Sequence, residues 1–173
     1  SVVSLIEAAR ALQGQDLDQR VVVLFVDQEE LGLIGAEKWI EAHGIERVAA
    51  VVNTDVGAWG DTIMYGLNNG AQSAFVVRAL REQCVEAAIQ CIAFSAAGAP
   101  VVSIGWQDQV GAHEMWLAFN DPDAQFGPDN LPTVFQRIHS AEDKIDWVEG
   151  DTLARAGMFH ADLIQRLDDA LSD

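Results

Sequence analysis

The run from Arg20 to Val26 (RVVVLFV) limits the fold more than any other stretch of this chain. Val21 to Val26 is apolar at every position and rich in β-branched side chains, with no alternation that would leave one face to water. A segment of that kind predicts a strand covered on both faces, as in a parallel sheet with helices on either side. It falls far short of the ~20 apolar residues that a membrane-spanning helix needs.

Around this run, helix and strand patterns alternate. Val2, Leu5, Ile6, Ala9 and Leu12 recur at helical spacing over residues 2–12, and Leu33 to His43 reads as a helix that Gly44 closes. Arg47 to Asn53 predicts a second buried strand, Thr62 to Gly66 a third, and Pro100 to Gly105 another after the Gly98-Ala99 turn. Gln72 to Gln83 carries Phe75, Val76, Ala79 and Leu80 on one helical face, whereas Val85 to Ile92 fits strand and short helix equally. Residues 106–132, with Asp, Asn, Gly and Pro among scattered Trp and Phe, read as a long surface excursion. A last helix is predicted over about Trp147 to Leu171. The alternation gives an α/β fold with a mostly parallel sheet. At 173 residues, with no repeat or linker, the chain is one domain.

The chain carries 27 acidic against 10 basic side chains, a net charge of -17. Nucleic acids and anionic membrane surfaces need Lys/Arg stripes, so neither is an expected partner. No charged segment followed by an apolar stretch opens the chain, so no signal peptide is visible, and both cytoplasmic and exported settings stay open. The first residue is not Met, so a preceding segment is expected. The two cysteines, Cys84 and Cys91, read as buried reduced thiols rather than as a disulfide framework.

In open α/β sheets, reactive side chains sit beyond the carboxyl ends of strands. Three segments meet that condition: Asp27-Gln28-Glu29-Glu30 after the first strand, Asp55 after the second, and Arg137-Ile138-His139-Ser140-Ala141-Glu142-Asp143 after the short apolar pair Val134-Phe135. Adjacent carboxylates suit a division of labour, one ligating a metal while its neighbour takes a proton from bound water. Carboxylates with a histidine are donors that zinc accepts. Taken singly, Glu29-Glu30 fits a solvated acidic turn, Asp55 a helix cap or loop residue, and His139 a surface histidine. Their joint placement at strand ends is the stronger signal. Trp39 reads as core, while Trp59, Trp106 and Trp116 fit either a pocket lining or a core or loop anchor. His113 and Glu114 read as a solvated loop pair. Asp108, Asp121, Asp123 and Asp129 read as an acidic loop, with a calcium site as the alternative.

Val22 to Ile34 (VVLFVDQEELGLI), followed by Gly35, resembles the strand and Glu-Glu-x-Gly-Leu-x-Gly segment of the co-catalytic zinc aminopeptidases. That family includes bacterial leucyl aminopeptidases, glutamate carboxypeptidase II, glutaminyl cyclases and the non-enzymatic transferrin receptor ectodomain. Val52-Asn53-Thr54-Asp55 is similar to its Asn-x-Asp strand end, and Gly98-Ala99-Pro100-Val101-Val102 to its Gly-Ile-Pro-Ala strand start. His139-Ser140-Ala141-Glu142-Asp143-Lys144-Ile145-Asp146 resembles its His-Thr-x-x-Asp-x-x-Asp segment. The matches run through nearly the whole chain in the family's order.

The resemblance implies a three-layer zinc exopeptidase-like fold with a mixed, mostly parallel sheet, and hydrolysis of an N-terminal peptide bond in a peptide substrate. Glu29 would be the general base, Glu30 and His139 ligands of one zinc, and Asp55 a ligand of a second. Two family segments, a His-x-Asp strand end and a Gly-Ala-x-Asp-Asn-x-Ser-Gly segment with the bridging Asp, would precede Ser1-Val2-Val3. Residues 1–173 are therefore expected to be a partial domain with its first strands missing, to hold zinc weakly or not at all, and to be inactive alone. The uncovered sheet edge is expected to self-associate or to take a partner segment. The family's Ser-Asp-His segment would fall at Ile89-Gln90-Cys91, where no residue matches. Two other readings stand beside the aminopeptidase: a single-zinc cyclase or deacylase, and a non-catalytic protein-binding domain of the same fold.

Overall fold

The computed structural model describes residues 1–57, 59–67, 74–86, 90–95, 101–121, 123, 127 and 131–172. The chain opens with helix α1 (Val2–Leu12) and, after a long irregular stretch, a 3-10 turn at Glu29–Leu31 that leads into α2 (Ile34–His43). Four strands follow, β1 (Val51–Thr54), β2 (Thr62–Leu67), β3 (Gln90–Ser95) and β4 (Val101–Gln107), with α3 (Ala74–Glu86) between β2 and β3. Helices α4 (Gln109–Asn120) and α5 (Thr133–Arg137), a further 3-10 turn at Ile145–Trp147, and α6 (Gly150–Ser172) follow.

The strands form one sheet in the order β1-β4-β2-β3. β1 runs parallel to β4 and β3 parallel to β2, while β2 and β4 are antiparallel, with Ile63 opposite Trp106 and Tyr65 opposite Ile104. The period of two along each strand puts Ile63, Tyr65, Val102, Ile104 and Trp106 on one face. There they pack with Val76, Ala79 and Leu80 of α3 and with Ala156, Phe159, Leu163 and Leu167 of α6. Met64 and Gln107 alternate to the opposite face, where Gln107 Nε2 donates to Met64 Sδ (2.9 Å) and Gly111 of α4 lies beside the Gln107 side chain. Helices thus lie on both faces, and the α/β architecture with a mixed sheet holds.

α1 lies along α6 with Ser4 and Ala8 buried between them. The chain after α1 is tied to the same helix, because the Asp168 carboxylate accepts from the backbone N–H of Asp18 (2.9 Å) and of Gln19 (2.7 Å).

Four expectations need correction. Arg20 to Val26 forms no strand, and Val21 to Val26 are 37–52% exposed. A hydrophobic run records what a segment needs, and burial follows only where neighbouring strands supply a ladder on each side. None of the described strands does so here, and the edge of β1 away from β4 is likewise unpaired among the described residues. The strand expected over Arg47 to Asn53 is shorter, Val51–Thr54, and half exposed at that edge. Residues 106–132 are not one long loop: β4 runs through Gln107, and 109–120 are helical, started by Asp108, whose carboxylate accepts from Gly111 N (2.9 Å). Cys84 is disulfide-bonded rather than reduced, and the side chain of Cys91 lies outside what the structure describes. The ambiguous 85–92 stretch divides between the end of α3 and the start of β3, while Gly98, Ala99 and Pro100 lie outside the described residues.

Candidate metal centre

The first site segment is a knot of backbone around two adjacent carboxylates. Gly35 N donates to Asp27 O (3.1 Å), Leu33 N to Glu29 O (2.9 Å) and Ile34 N to Gln28 O (3.3 Å), which folds residues 27–35 back on themselves. This closure explains the second glycine of the Glu-Glu-x-Gly-Leu-x-Gly pattern, since a Cβ on Gly35 would stand 2.4 Å from Asp27 O. Glu29 and Glu30 occupy the 3-10 turn at the crown of the knot, both exposed.

The second segment extends β1. Asp55 N donates to Ile104 O (3.0 Å) and Val56 O accepts from Trp106 N (2.8 Å), so the chain still follows β4 where Asp55 stands. Asp55 Oδ1 accepts from Val56 N (2.8 Å). The chain then turns over the end of β4, with Gly60 so close that a Cβ there would lie 2.0 Å from the Gln107 carbonyl carbon. Gly60 is held by Glu149, whose Oε2 accepts from its N–H (3.1 Å), and by the Thr152 hydroxyl, which donates to its carbonyl (2.9 Å).

The third segment leaves α5 at Arg137. The Ser140 hydroxyl donates to Arg137 O (2.7 Å) and accepts from Glu142 N (3.1 Å), and the Trp147 indole N–H donates to Glu142 O (2.8 Å). His139 projects from this loop with φ +58°.

Backbone strain gathers at these places. Among the described residues, the non-glycine positions with positive φ are Gln28 (57°), Leu33 (62°), Val56 (50°) and His139 (58°). They flank Glu29-Glu30, follow Asp55, and include His139 itself. Left-handed backbone is unusual for a non-glycine residue and a clear outlier for a β-branched one such as Val56. Strain of this kind concentrates where side chains are held for function.

The structure brings two of the four sequence-derived site residues into contact: His139 Nε2 lies 2.9 Å from Glu30 Oε1, with the two side chains 67% and 68% exposed. Among the described residues, no group of three or more His, Cys, Asp or Glu converges as a metal site, so Glu29 and Asp55 do not complete a cluster with this pair. The pair itself has the right donor chemistry, an imidazole nitrogen and a carboxylate oxygen directed at one another. Two ligands of a tetrahedral zinc with bonds of about 2.0–2.1 Å stand roughly 3.3 Å apart. The donor chemistry of the pair would suit part of one zinc ligand set.

The remaining candidates have other settings. His113 and Glu114 lie on α4 rather than in a loop. His113 stacks on Trp116 (6.2 Å between centroids), and the Glu114 carboxylate accepts from Thr133 N (3.3 Å) at the start of α5. Asp108 caps α4, Asp121 accepts from Asp123 N (2.9 Å), and Asp129 lies outside the described residues. Trp106 is buried in the core, whereas Trp39 is half-buried on α2 and stacks on His43 (4.9 Å). Trp59 stacks on the guanidinium of Arg137 (4.1 Å), which lies over Trp147 (3.6 Å) on another side. No role for Arg137 or Trp147 was evident in the sequence, because stacking between distant segments leaves no periodic trace.

No curated protein and no solved structure matched the chain. The model of Peptidase family M28 matches residues 1–164, so the chain belongs to this family of hydrolytic peptidases.

Proposed function

We propose that this domain is the zinc-binding part of an exopeptidase of the aminopeptidase type, hydrolysing the N-terminal bond of a peptide. The observation that carries the reading is the Glu30–His139 contact at 2.9 Å. Two segments far apart in sequence, each matching a ligand motif, meet through the side chains that the motifs assign. Glu30 and His139 would hold one zinc and Asp55 would serve a second, completed by the family's His-x-Asp and bridging Asp segments. Bound zinc would polarise the scissile carbonyl and lower the pKa of water.

Glu29 would act as the general base. It adjoins Glu30 on the same 3-10 turn, is exposed, and its carboxylate makes no hydrogen bond or ion pair among the described residues. It would take the proton of the attacking water and return it to the leaving amine. A single-zinc cyclase or deacylase is the second reading, favoured by the fact that just one ligand pair meets among the described residues. Because that pair gives only two of the three protein ligands usual in catalytic zinc sites, the 173-residue chain by itself is proposed to retain no stoichiometric zinc and to show no turnover. We also propose that the edge of β1, unpaired among the described residues, and the exposed 21–26 run take up a further strand, from a second copy or a partner segment. Metal content after dialysis, measured with hydrolysis of aminoacyl anilides, tests the enzymatic reading. Stoichiometric zinc with turnover in the isolated chain would refute the two-ligand account.

A further inference from the structure

The guanidinium of Arg137 is held by aromatic faces. Its carbon lies 3.6 Å from the Trp147 ring centroid and 4.1 Å from that of Trp59, both well inside the cation–π range. Its Nη1 is buried without a hydrogen-bond partner, and Arg137 makes no ion pair among the described residues. In a chain of net charge -17 an arginine has carboxylates to choose from, yet Arg137 pairs with none among the described residues. The side chain is therefore used for its planar faces, a role that lysine does not fill.

What the stack joins is specific. Trp59 belongs to the turn that follows Asp55, pinned over the end of β4 at Gly60. Arg137 ends α5, two residues before His139, and its carbonyl accepts from the Ser140 hydroxyl (2.7 Å). Trp147 closes the same loop through its indole N–H on Glu142 O (2.8 Å). One guanidinium thus fastens the His139 loop to itself and to the Asp55 turn.

We propose that Arg137, clamped between Trp59 and Trp147, is a positioning residue that holds His139 in its left-handed conformation against Glu30 and in register with the Asp55 turn. The inference rests on the zinc reading of the Glu30–His139 pair, since positioning matters there for a ligand. Residues behind metal ligands commonly change affinity by 10–100-fold when altered.

The test uses the 173-residue chain with Arg137→Leu, Arg137→Lys, Trp59→Phe, His139→Ala, and Leu163→Ala as a core-destabilising control. Zinc affinity is read by titration, and amide exchange is followed at 55–61, 137–147 and 159–167. Arg137→Leu and Arg137→Lys are expected to weaken zinc by about tenfold, with faster exchange confined to 55–61 and 137–147. Trp59→Phe, which keeps a ring face, is expected to bind like the parent, and Leu163→Ala to lower Tm without changing affinity. Unchanged affinity and exchange in Arg137→Leu would overturn the proposal, as would an equal loss of affinity in Leu163→Ala. Faster exchange at 137–147 in Arg137→Leu, in a chain whose zinc binding ignores His139→Ala, would leave the positioning standing and overturn the zinc reading.

Discussion

His139 Nε2 stands 2.9 Å from the Glu30 carboxylate. The contact joins a 3-10 turn near the start of the chain to a loop near its end, and no single element supports both. Each side chain leaves a strained stretch of backbone: Gln28 and Leu33 have positive φ around the Glu29-Glu30 turn, and His139 has positive φ itself. A pair that served only as a surface ion bridge would contribute about 0–1 kcal/mol, little return for that strain. The proposed role as a ligand pair would give the geometry a purpose.

The division of labour between the neighbouring glutamates is open to substitution in a longer chain that supplies the family's upstream ligand segments. Glu29→Gln keeps size and hydrogen bonding but removes the proton acceptor. It is expected to lower kcat by at least ~10²-fold with metal content intact, whereas Glu30→Gln is expected to lose metal. Steady-state kinetics with metal analysis distinguishes them. An active Glu29→Gln enzyme would reverse the assignment.

The stability of the fold is expected to depend on His160. This residue of α6 is 1% exposed; its Nδ1–H donates to Ala156 O, and its Nε2 is buried without a partner. Burial pushes its pKa below the ordinary histidine value, against the opposing effect of the Ala156 carbonyl. With the folded pKa depressed, the unfolded chain binds the proton more readily. Stability is therefore unaffected by this group above about pH 6.5 and falls as pH drops from there toward the folded pKa. Its slope approaches about 1.4 kcal/mol per pH unit. In urea melts between pH 5 and 7.5, His160→Phe is expected to flatten this part of the profile whatever its absolute stability. Identical slopes in the two proteins would show that His160 is not the group responsible.

Two glycines with nearly the same φ separate conformational strain from crowding. A Cβ on Gly14 (φ +80°) would have nothing within 4 Å, whereas one on Gly60 (φ +78°) would meet the Gln107 carbonyl carbon at 2.0 Å. Gly14→Ala is expected to cost about 1–2 kcal/mol for the left-handed backbone alone. Gly60→Ala is expected to cost about 1–3 kcal/mol more, from overpacking. Equal shifts in denaturation midpoint would contradict the close packing of that turn on β4.

The exposed apolar run and the edge of β1 that is unpaired among the described residues predict association that depends on protein concentration. Sedimentation equilibrium is expected to show mass rising with concentration, and the double substitution Val22→Lys, Phe25→Glu to suppress it by placing charge along the run. A monodisperse monomer across the whole range would count against an interface there.

Much of this was legible in the sequence, and the exceptions have physical causes. α1, α3 and α6 follow from apolar residues at helical spacing, and β2 and β4 from short apolar runs bounded by turns. Arg20 to Val26 misled because periodicity reports the environment a segment requires, while its neighbours decide what it receives. α4 was hidden by its polar and aromatic composition, although Asp108 three residues before Gly111 is the cap that starts it. The Glu30–His139 contact joins two of the segments that the motifs singled out, while Glu29 and Asp55 do not complete a cluster with it among the described residues. The Trp59–Arg137–Trp147 stack was not legible, because nothing local in residue 59 points to residue 137.

Zinc titration of the 173-residue chain, with Glu30→Gln, His139→Ala and the double variant, tests the central claim most directly. A pair of ligands, about half of a four-ligand set, is expected to bind in the micromolar to submillimolar range, tightly enough to titrate and too weakly to survive dialysis. If Glu30 and His139 hold the same ion, either substitution abolishes this binding and the double variant is no worse than each alone. Zinc bound with unchanged affinity after either substitution would contradict the account.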